Sequence, residues 1–483
     1  MVDTPTTQRL KFGAPRNGEI DATSRAPYGW APFVVLFIVG LVDRIEHNLL
    51  SGVLPLIQAE WGFSDTVAGS IPTASALAAA VVALPAGYFA DRHNRTRIIA
   101  VVVFCWALAT LGSGLATSFA LFYTMRVFLA AAESIDNPAA GSLLADYYPP
   151  VSRAKAYGWT RITAYLGGLG TLLGGVLAGS FGWRSAFLIM VVPGVLTALL
   201  VWRLREPVRG HLDRLVAEGA AGTPGTGPAS GVPGNLGTEP ALDVVGGAGI
   251  GAGTSDLGAV GGPEGVGVKP PFGRQLREVL AIRTLLVVCI GLMLVSLGLG
   301  GVFYWLPSLL VRNFGIGIAA AGSLSGIITI IGVVGGTLIG SWLGGVWHGT
   351  RKGGRLLAGG GGIALGSTTL AVALTMDSIP LFSVVMVVAS VLTSMAIPNL
   401  TASLADVVPA ASRGLGFAVL QLFLTGGVAF GPLIVGIVSD NAGGLINAMY
   451  ALIVPMVVGG LITLFARGFY ERDAQRVMEA ARG

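Results

Sequence analysis

The stretch VVALPAGYFADRHNRTR, residues 81–97, runs from an apolar helix straight into a short charged turn. A second apolar stretch, Ile98 to Ala116, follows at once. Its spacing is G-x-x-x-D-R-x-x-R, with Gly87, Asp91, Arg92 and Arg95 at the fixed positions. Each of these suits a boundary between two membrane helices. Glycine lets two helices touch closely. Basic residues, here Arg92, Arg95 and Arg97, mark the cytoplasmic side of a bilayer. A carboxylate and a guanidinium on one tight loop can latch neighbouring helices together. An ordinary positive-inside loop explains the arginines but not the glycine and aspartate beside them.

Composition agrees. The chain has 483 residues, 53% hydrophobic and only 11% charged, with a mean hydropathy of +0.75. No soluble domain of this length hides that much apolar surface, so the chain is read as a polytopic membrane protein. The small net charge of +5 comes without any nucleic-acid motif. Cys105 and Cys289 lie inside separate apolar spans, and His47, His93, His211 and His348 are scattered, so no metal site is expected. The N-terminus is polar and lacks the apolar core of a cleaved signal peptide.

A spanning helix needs about 20 apolar residues. Such segments fall near 31–57, 65–90, 98–117, 119–146, 152–180 and 185–203, then near 284–310, 317–342, 355–376, 379–405, 412–438 and 443–467. The expected fold is therefore all-α, with twelve transmembrane helices in two six-helix halves. An N-terminal segment (1–30) precedes a first bundle (31–205). A Gly- and Pro-rich flexible linker (206–280, with GAAGTPGTGPASGVPGNLG inside it) leads to a second bundle (281–467) and a tail (468–483). Residues 270–280 read as an amphipathic lead-in to the seventh span. Alternate loops carry the arginines and lysines, which places both termini in the cytoplasm.

The halves repeat. PAAGSLLADYYPPVSRAKAYG (138–158) aligns without gaps to PNLTASLADVVPAASRGLGFA (398–418), pairing Asp146 with Asp406 and Arg153 with Arg413. Shared polar residues in loops are hard to obtain from common hydrophobicity alone. Two parallel halves of this kind place a substrate site between them at midplane.

Ionisable residues inside spans mark such a site, because each costs about 2.5–3.5 kcal/mol at a bilayer centre on insertion scales. The first span holds Asp43, Arg44, Glu46 and His47 within one polar arc. Neighbours on a helix do not face each other, so Asp43 and Arg44 are expected to find partners on other helices. The fourth span adds Arg126 and Glu133 on one face, with Asn137 continuing the line and Asp136 to one side. The fifth adds Tyr157, Arg161 and Tyr165 on one stripe. A carboxylate whose arginine neighbour moves can load and unload a proton. On that reading Asp43 and Glu133 couple protons, and a permanent salt-bridge network is the alternative. The second half offers mainly apolar and aromatic wall, with Tyr304, Trp305, Gln421, Phe423 and Thr425 as its candidates. One charged half and one apolar half suit an amphipathic solute.

The 81–97 turn resembles the signature loop between helices 2 and 3 of the major facilitator superfamily. Several strings resemble its spinster-like branch: VDRIEHNLLSGVLPLI (42–57), GYFADRHNR (87–95), RVFLAAAES (126–134), ADYYPPVSRAKAYG (145–158) and REPVRG (205–210). The resemblance implies proton coupling through Asp43 and Glu133, and sphingoid, lysophospholipid or drug-like substrates. It also implies a gate built from Gly87, Asp91, Arg92, Arg95, Asp146 and Arg153. Alanines at 130 and 132, where the branch has glycines, and the extra Asp136 depart from its pattern. No G-x-x-x-x-G-K-[ST] string is present, so transport is expected to draw on a proton gradient and no cofactor. The expected protein is a monomeric, multi-pass plasma-membrane transporter, not an enzyme, with membrane lipids and a small amphipathic molecule as its partners. The alternative substrate is an organic anion or other polar metabolite taken up with protons.

Overall fold

A computed structural model describes residues 24, 26–215, 272–409 and 412–480, with the side chains at 84, 86–92, 137, 138, 150, 151, 154, 161 and 480 excluded. The first half comprises α1 (Ala31–Trp61), α2 (Asp65–Arg92), α3 (Arg95–Gly114), α4 (Phe119–Tyr147), α5 (Pro150–Tyr165), α6 (Gly168–Phe181) and α7 (Trp183–Trp202). The second comprises α8 (Phe272–Leu280), α9 (Arg283–Phe314), α10 (Ile318–Trp347), α11 (Gly354–Ala373), α12 (Ile379–Ser394), α13 (Ala396–Val407), α14 (Arg413–Asn441), α15 (Leu445–Phe465) and α16 (Arg467–Ala480).

Among the described residues, 10 helical stretches are long and apolar enough to cross a membrane; α5–α6 and α12–α13 each form part of one such stretch. The two long helices outside that set are α1 and α4, which carry the charges at 43–47 and 126–136. Hydropathy undercounts them because it penalises charge within a span. With them, the twelve spans are complete.

The helices begin and end where the sequence supplies caps. Ser64, Asn94 and Ser118 accept hydrogen bonds from the Val67, Arg97 and Leu121 amides at the starts of α2, α3 and α4. Helices α1 and α9 both stop at a left-handed glycine, Gly62 (φ 64°) and Gly315 (φ 65°). That shared stop is one mark of the repeat. A second is the close packing of α1 on α6 and of α9 on α14. A Cβ on Gly170 would sit 2.0 Å from the Ile45 carbonyl, and one on Gly431 would sit 2.1 Å from that of Leu297. A third is a pair of equivalent ion pairs, Arg95–Asp146 and Arg355–Asp406, each at 2.5 Å.

These ion pairs lie at the end of the bundle where the arginine-rich loops gather, the basic end. In each half the chain that follows the last span returns to cover them. Glu206 binds Arg95 (2.8 Å) and the Gly210 amide donates to Asp146 (2.9 Å). Asp213 binds Arg153 (2.8 Å). In the second half Tyr470 of α16 donates to Asp406 (2.5 Å). Burial and that carboxylate push the Tyr470 hydroxyl well above its ordinary range, so it stays a donor at any physiological pH. The first bundle thus extends past residue 205 to 214, where a linker was expected. Within the expected tail from 468, the chain forms the helix α16, docked through Tyr470 on Asp406. The lead-in to the seventh span forms α8, with Val279 buried.

At the opposite, far end the halves join. The core of the second half there takes in Leu54 and Ala68 from the first. Helices α6 and α10 touch backbone to backbone: a Cβ on Gly175 would lie 2.6 Å from Gly322 Cα.

Candidate functional site

Helices α1 and α4 meet at mid-membrane through two sets of charges. Deep in the first bundle, Arg126 donates to Glu46 at 2.5 Å. Thr110 of α3 donates to the same Glu46 oxygen at 3.2 Å, and the Arg126 guanidinium lies 5.5 Å over the Phe187 ring of α7. Glu46 is only 1% exposed. This pair therefore ties four helices together inside one bundle. Nearer the interior face, His47 Nδ1 lies 3.8 Å from Glu133 Oε2, with half of the His47 side chain exposed. Arg44 binds Asp43 at 3.1 Å. Asp136, one turn further along α4 than Glu133, is also buried.

Arg126 and Glu133 lie on one face of α4 as their spacing predicts, and both meet α1, Arg126 at Glu46 and Glu133 at His47. One expectation changes. Asp43 and Arg44 do pair with each other. The rule that neighbours diverge applies to Cβ directions, and a long arginine stem can curl back to the adjacent carboxylate. Tyr157 donates to the Gly141 carbonyl of α4 (2.6 Å), and Tyr165 is buried. The side chains of Asn137 and Arg161 lie outside the described residues.

On the second half, Trp305 is not a cavity wall. It is fully buried and donates to the Pro432 carbonyl at 3.0 Å. An indole buries large area and must still place its N–H, which the Pro432 carbonyl of α14 accepts. Tyr304 crosses between the halves, donating to the Ala68 carbonyl of α2 at 2.9 Å. Gln421, Phe423 and Thr425 are half-buried on α14. Gln421 donates to Thr425 (3.2 Å), and Phe423 packs on the core near the basic end.

Of the gate residues, Arg95 sits between Asp146, Glu206 and Ser142 (2.8 Å), and Arg153 holds the Ala145 carbonyl and Asp213. Of the rest, the surroundings of Gly87 and the side chains of Asp91 and Arg92 lie outside the described residues. Among the described residues, the hydrogen bonds and ion pairs at the basic end each stay within one half.

At the far end they cross. Arg312 of α9 forks onto Asp65 of α2 (2.7 and 2.8 Å) and reaches Gln58 (2.9 Å). Ser439 donates to Asp65 (2.6 Å). Asp440 accepts from the Asp65 and Thr66 amides (3.1 and 2.8 Å). Thr73 donates to the Ala429 carbonyl (2.6 Å). Among the described residues, side-chain bonds latch the two halves together at the far end. Sequence reading missed this latch, because Gln58, Asp65 and Arg312 look like ordinary helix-end residues. The signal was the polar SD ending GPLIVGIVSD. Because Arg312 is partly exposed, its fork is worth about 1 kcal/mol. Arg312→Ala should therefore shift the population about fivefold toward a far-end-open state. Spin-label distances between the far ends of α2 and α14 report it, and unchanged distances would refute the latch.

Two helical bundles around a charged midline, joined across the far end, define a membrane transporter rather than an enzyme. The chain belongs to the Major Facilitator Superfamily, whose profile matches residues 36–373 and 343–482. It is 30% identical over 188 residues to the cis,cis-muconate transport protein of Acinetobacter baylyi, covering 38% of this chain and 45% of that one. It is 27% identical over 184 residues to protein spinster of Drosophila melanogaster, covering 38% and 30%. The matched stretch thus spans less than half the length of each of these relatives. The crystal structure of a bacterial homologue of the human lysosomal transporter spinster, in an inward-facing and unoccupied conformation, superposes with a TM-score of 0.70. It is 22% identical and covers 93% of this chain and 97% of that one. The spinster-like motifs and the twelve-helix fold read from the sequence agree with these likenesses.

Proposed function

We propose that the protein is a proton-coupled secondary transporter that moves an amphipathic organic anion, a carboxylate on an apolar or aromatic body, by alternating access. The observation that carries the reading is which charges a solute can meet at midplane. Asp43, Glu46, Glu133 and Asp136 are all buried, whereas the His47 side chain is half exposed and that of Arg44 is 20% exposed. The Arg44 guanidinium and the His47 imidazole face the interior, and an anionic head suits the guanidinium beside an imidazole that can donate a hydrogen bond. The mainly apolar second half suits the rest of the molecule. A dicarboxylate is the named cargo of the muconate relative, which supports the anionic head. The likeness to spinster supports the apolar body.

Proton coupling rests on burial. A mid-membrane carboxylate loses its charge cost when it takes up a proton, and Asp43 and Glu133 border the accessible group. The basic end and both termini are cytoplasmic on this reading, in the plasma membrane. The state seen here then opens inward, and the Asp91–Arg95 turn with Asp146 and Arg153 forms the cytoplasmic gate.

The test is uptake into proteoliposomes with and without a pH gradient, with aromatic carboxylates, medium-chain fatty acids, lysolipids and sugars as solutes. Asp43→Asn and Glu133→Gln should each abolish gradient-driven accumulation while leaving counterflow exchange. Accumulation by both variants at the parental rate would remove proton coupling. Sugars competing as well as carboxylates would remove the amphipathic anion. A steep gain in affinity with acyl length, without need for a negative charge, would favour the lysolipid or sphingoid reading instead.

A further inference from the structure

Away from the midplane, the second bundle has a cleft of about 460 Å³ at its basic end, lined by α8, the start of α9, the end of α13 and α16. We propose that this cleft binds the headgroup of an anionic phospholipid through Arg283, Arg472 and Arg476. The inference does not depend on the transported solute.

Position argues first. The seventh span starts at Arg283, the tenth ends at Val407 and the twelfth ends at Phe465. Three spans change from apolar to polar at the level of the cleft, which is where hydrocarbon gives way to headgroups. Charge argues second. The lining holds three arginines and two carboxylates, and both carboxylates are engaged. Glu278 binds Arg274 (3.0 Å). Asp473 accepts from the Thr284 amide (3.2 Å) and hydroxyl (2.7 Å) and lies 3.7 Å from Arg476. Arg283 and Arg472 are exposed and make no ion pair among the described residues. Guanidinium groups suit a phosphodiester because they can offer it two parallel N–H donors.

The apolar rim commits the ligand to a lipid rather than to free phosphate. Helix α8 (FGRQLREVL) is amphipathic, with Phe272, Leu276, Val279 and Leu280 on one side and Arg274, Arg277 and Glu278 on the other. Val279 is buried, yet Phe272 is 67% exposed. A helix of this kind lies in the plane of the interface with its free apolar residues in the acyl boundary. Acyl chains anchored beside Phe272 and Phe469 would set the phosphate among the three arginines. Basic pockets at the cytoplasmic side of membrane proteins take anionic headgroups in this way.

The experiment titrates the full-length detergent-solubilised protein with phosphatidylglycerol and with phosphatidylcholine, reading bound lipid by native mass spectrometry. Phosphatidylglycerol should bind about twenty-five-fold more tightly, since two uncommitted arginines each contribute roughly a fivefold preference. Arg283→Gln with Arg472→Gln should bring the two lipids near parity. Arg283→Lys with Arg472→Lys should keep most of the preference. Arg351→Gln, which alters an arginine stacked on Trp347 outside the cleft, should leave it intact. Equal binding of both lipids by the parent protein overturns the proposal without any variant. So does loss of preference in Arg351→Gln as large as in the double variant, since that would mean diffuse surface charge. Displacement by sn-glycerol 3-phosphate at concentrations equal to the lipid overturns it too, because the site would then read phosphate alone.

Discussion

Glu46→Gln should destabilise the protein by about 3–5 kcal/mol and abolish transport. Removing one member of a buried ion pair leaves its partner charged and unsolvated. Arg126 is 4% exposed, and Glu46 Oε1 is its carboxylate partner. Glutamine keeps the shape and one acceptor, so the loss reports charge rather than volume. Thr110 and Phe187 converge on the same pair, so the damage reaches α3 and α7 as well. Thermal unfolding in detergent measures the effect. Adding Arg126→Met to Glu46→Gln should recover much of the stability, because an apolar pair of similar volume often replaces a buried ion pair at little cost. A Glu46→Gln protein that melts and transports like its parent would show the pair to be dispensable.

Gly322→Val should remove the far-end-closed state altogether. A Cβ at Gly322 would lie 2.6 Å from Gly175 Cα and 2.9 Å from the Thr171 carbonyl. These are backbone atoms and cannot turn aside. Close approach of small residues is what lets the two helices pack here. With valine the halves must separate at this end, which is the movement that alternating access already contains. The expected protein folds, holds its far end open and transports more than about tenfold slower, since one of its two states has become inaccessible. Spin labels at the far ends of α6 and α10 should move apart by several ångströms, on the order of the side chain inserted. Gly345→Val is a fitting control, because a Cβ there meets nothing within 4 Å. Parental distances and rates in Gly322→Val would mean that the contact does not govern the cycle.

The large architecture was legible because it is written along one dimension. Apolar length defines a span, alternating loop charge defines a side, and the gapless match of 138–158 to 398–418 defines the repeat. The intramembrane charges at 43–47 and 126–136 were legible as a site for the same reason, since each stands out against apolar neighbours. Their pairing was not. Spacing put Arg126 and Glu133 on one face of α4, and the fold gave Arg126 to Glu46. Trp305 read as a cavity wall from its place on the seventh span, yet its indole closes on the Pro432 carbonyl of α14.

The far-end latch shows the same division. Asp65 and Arg312 are unremarkable in sequence and lie far apart along the chain, and Gln58 and Ser439 add nothing by themselves. The sequence alone determined twelve spans, two related halves, one basic end and a charged midline in the first half. Only the tertiary structure decided which charges meet, which end of the molecule is shut and which aromatic side chains are core. Hydrophobic period and loop charge act on each helix separately. An ion pair or a glycine contact depends on the axial register between two helices and on side-chain reach, which only the packed bundle sets.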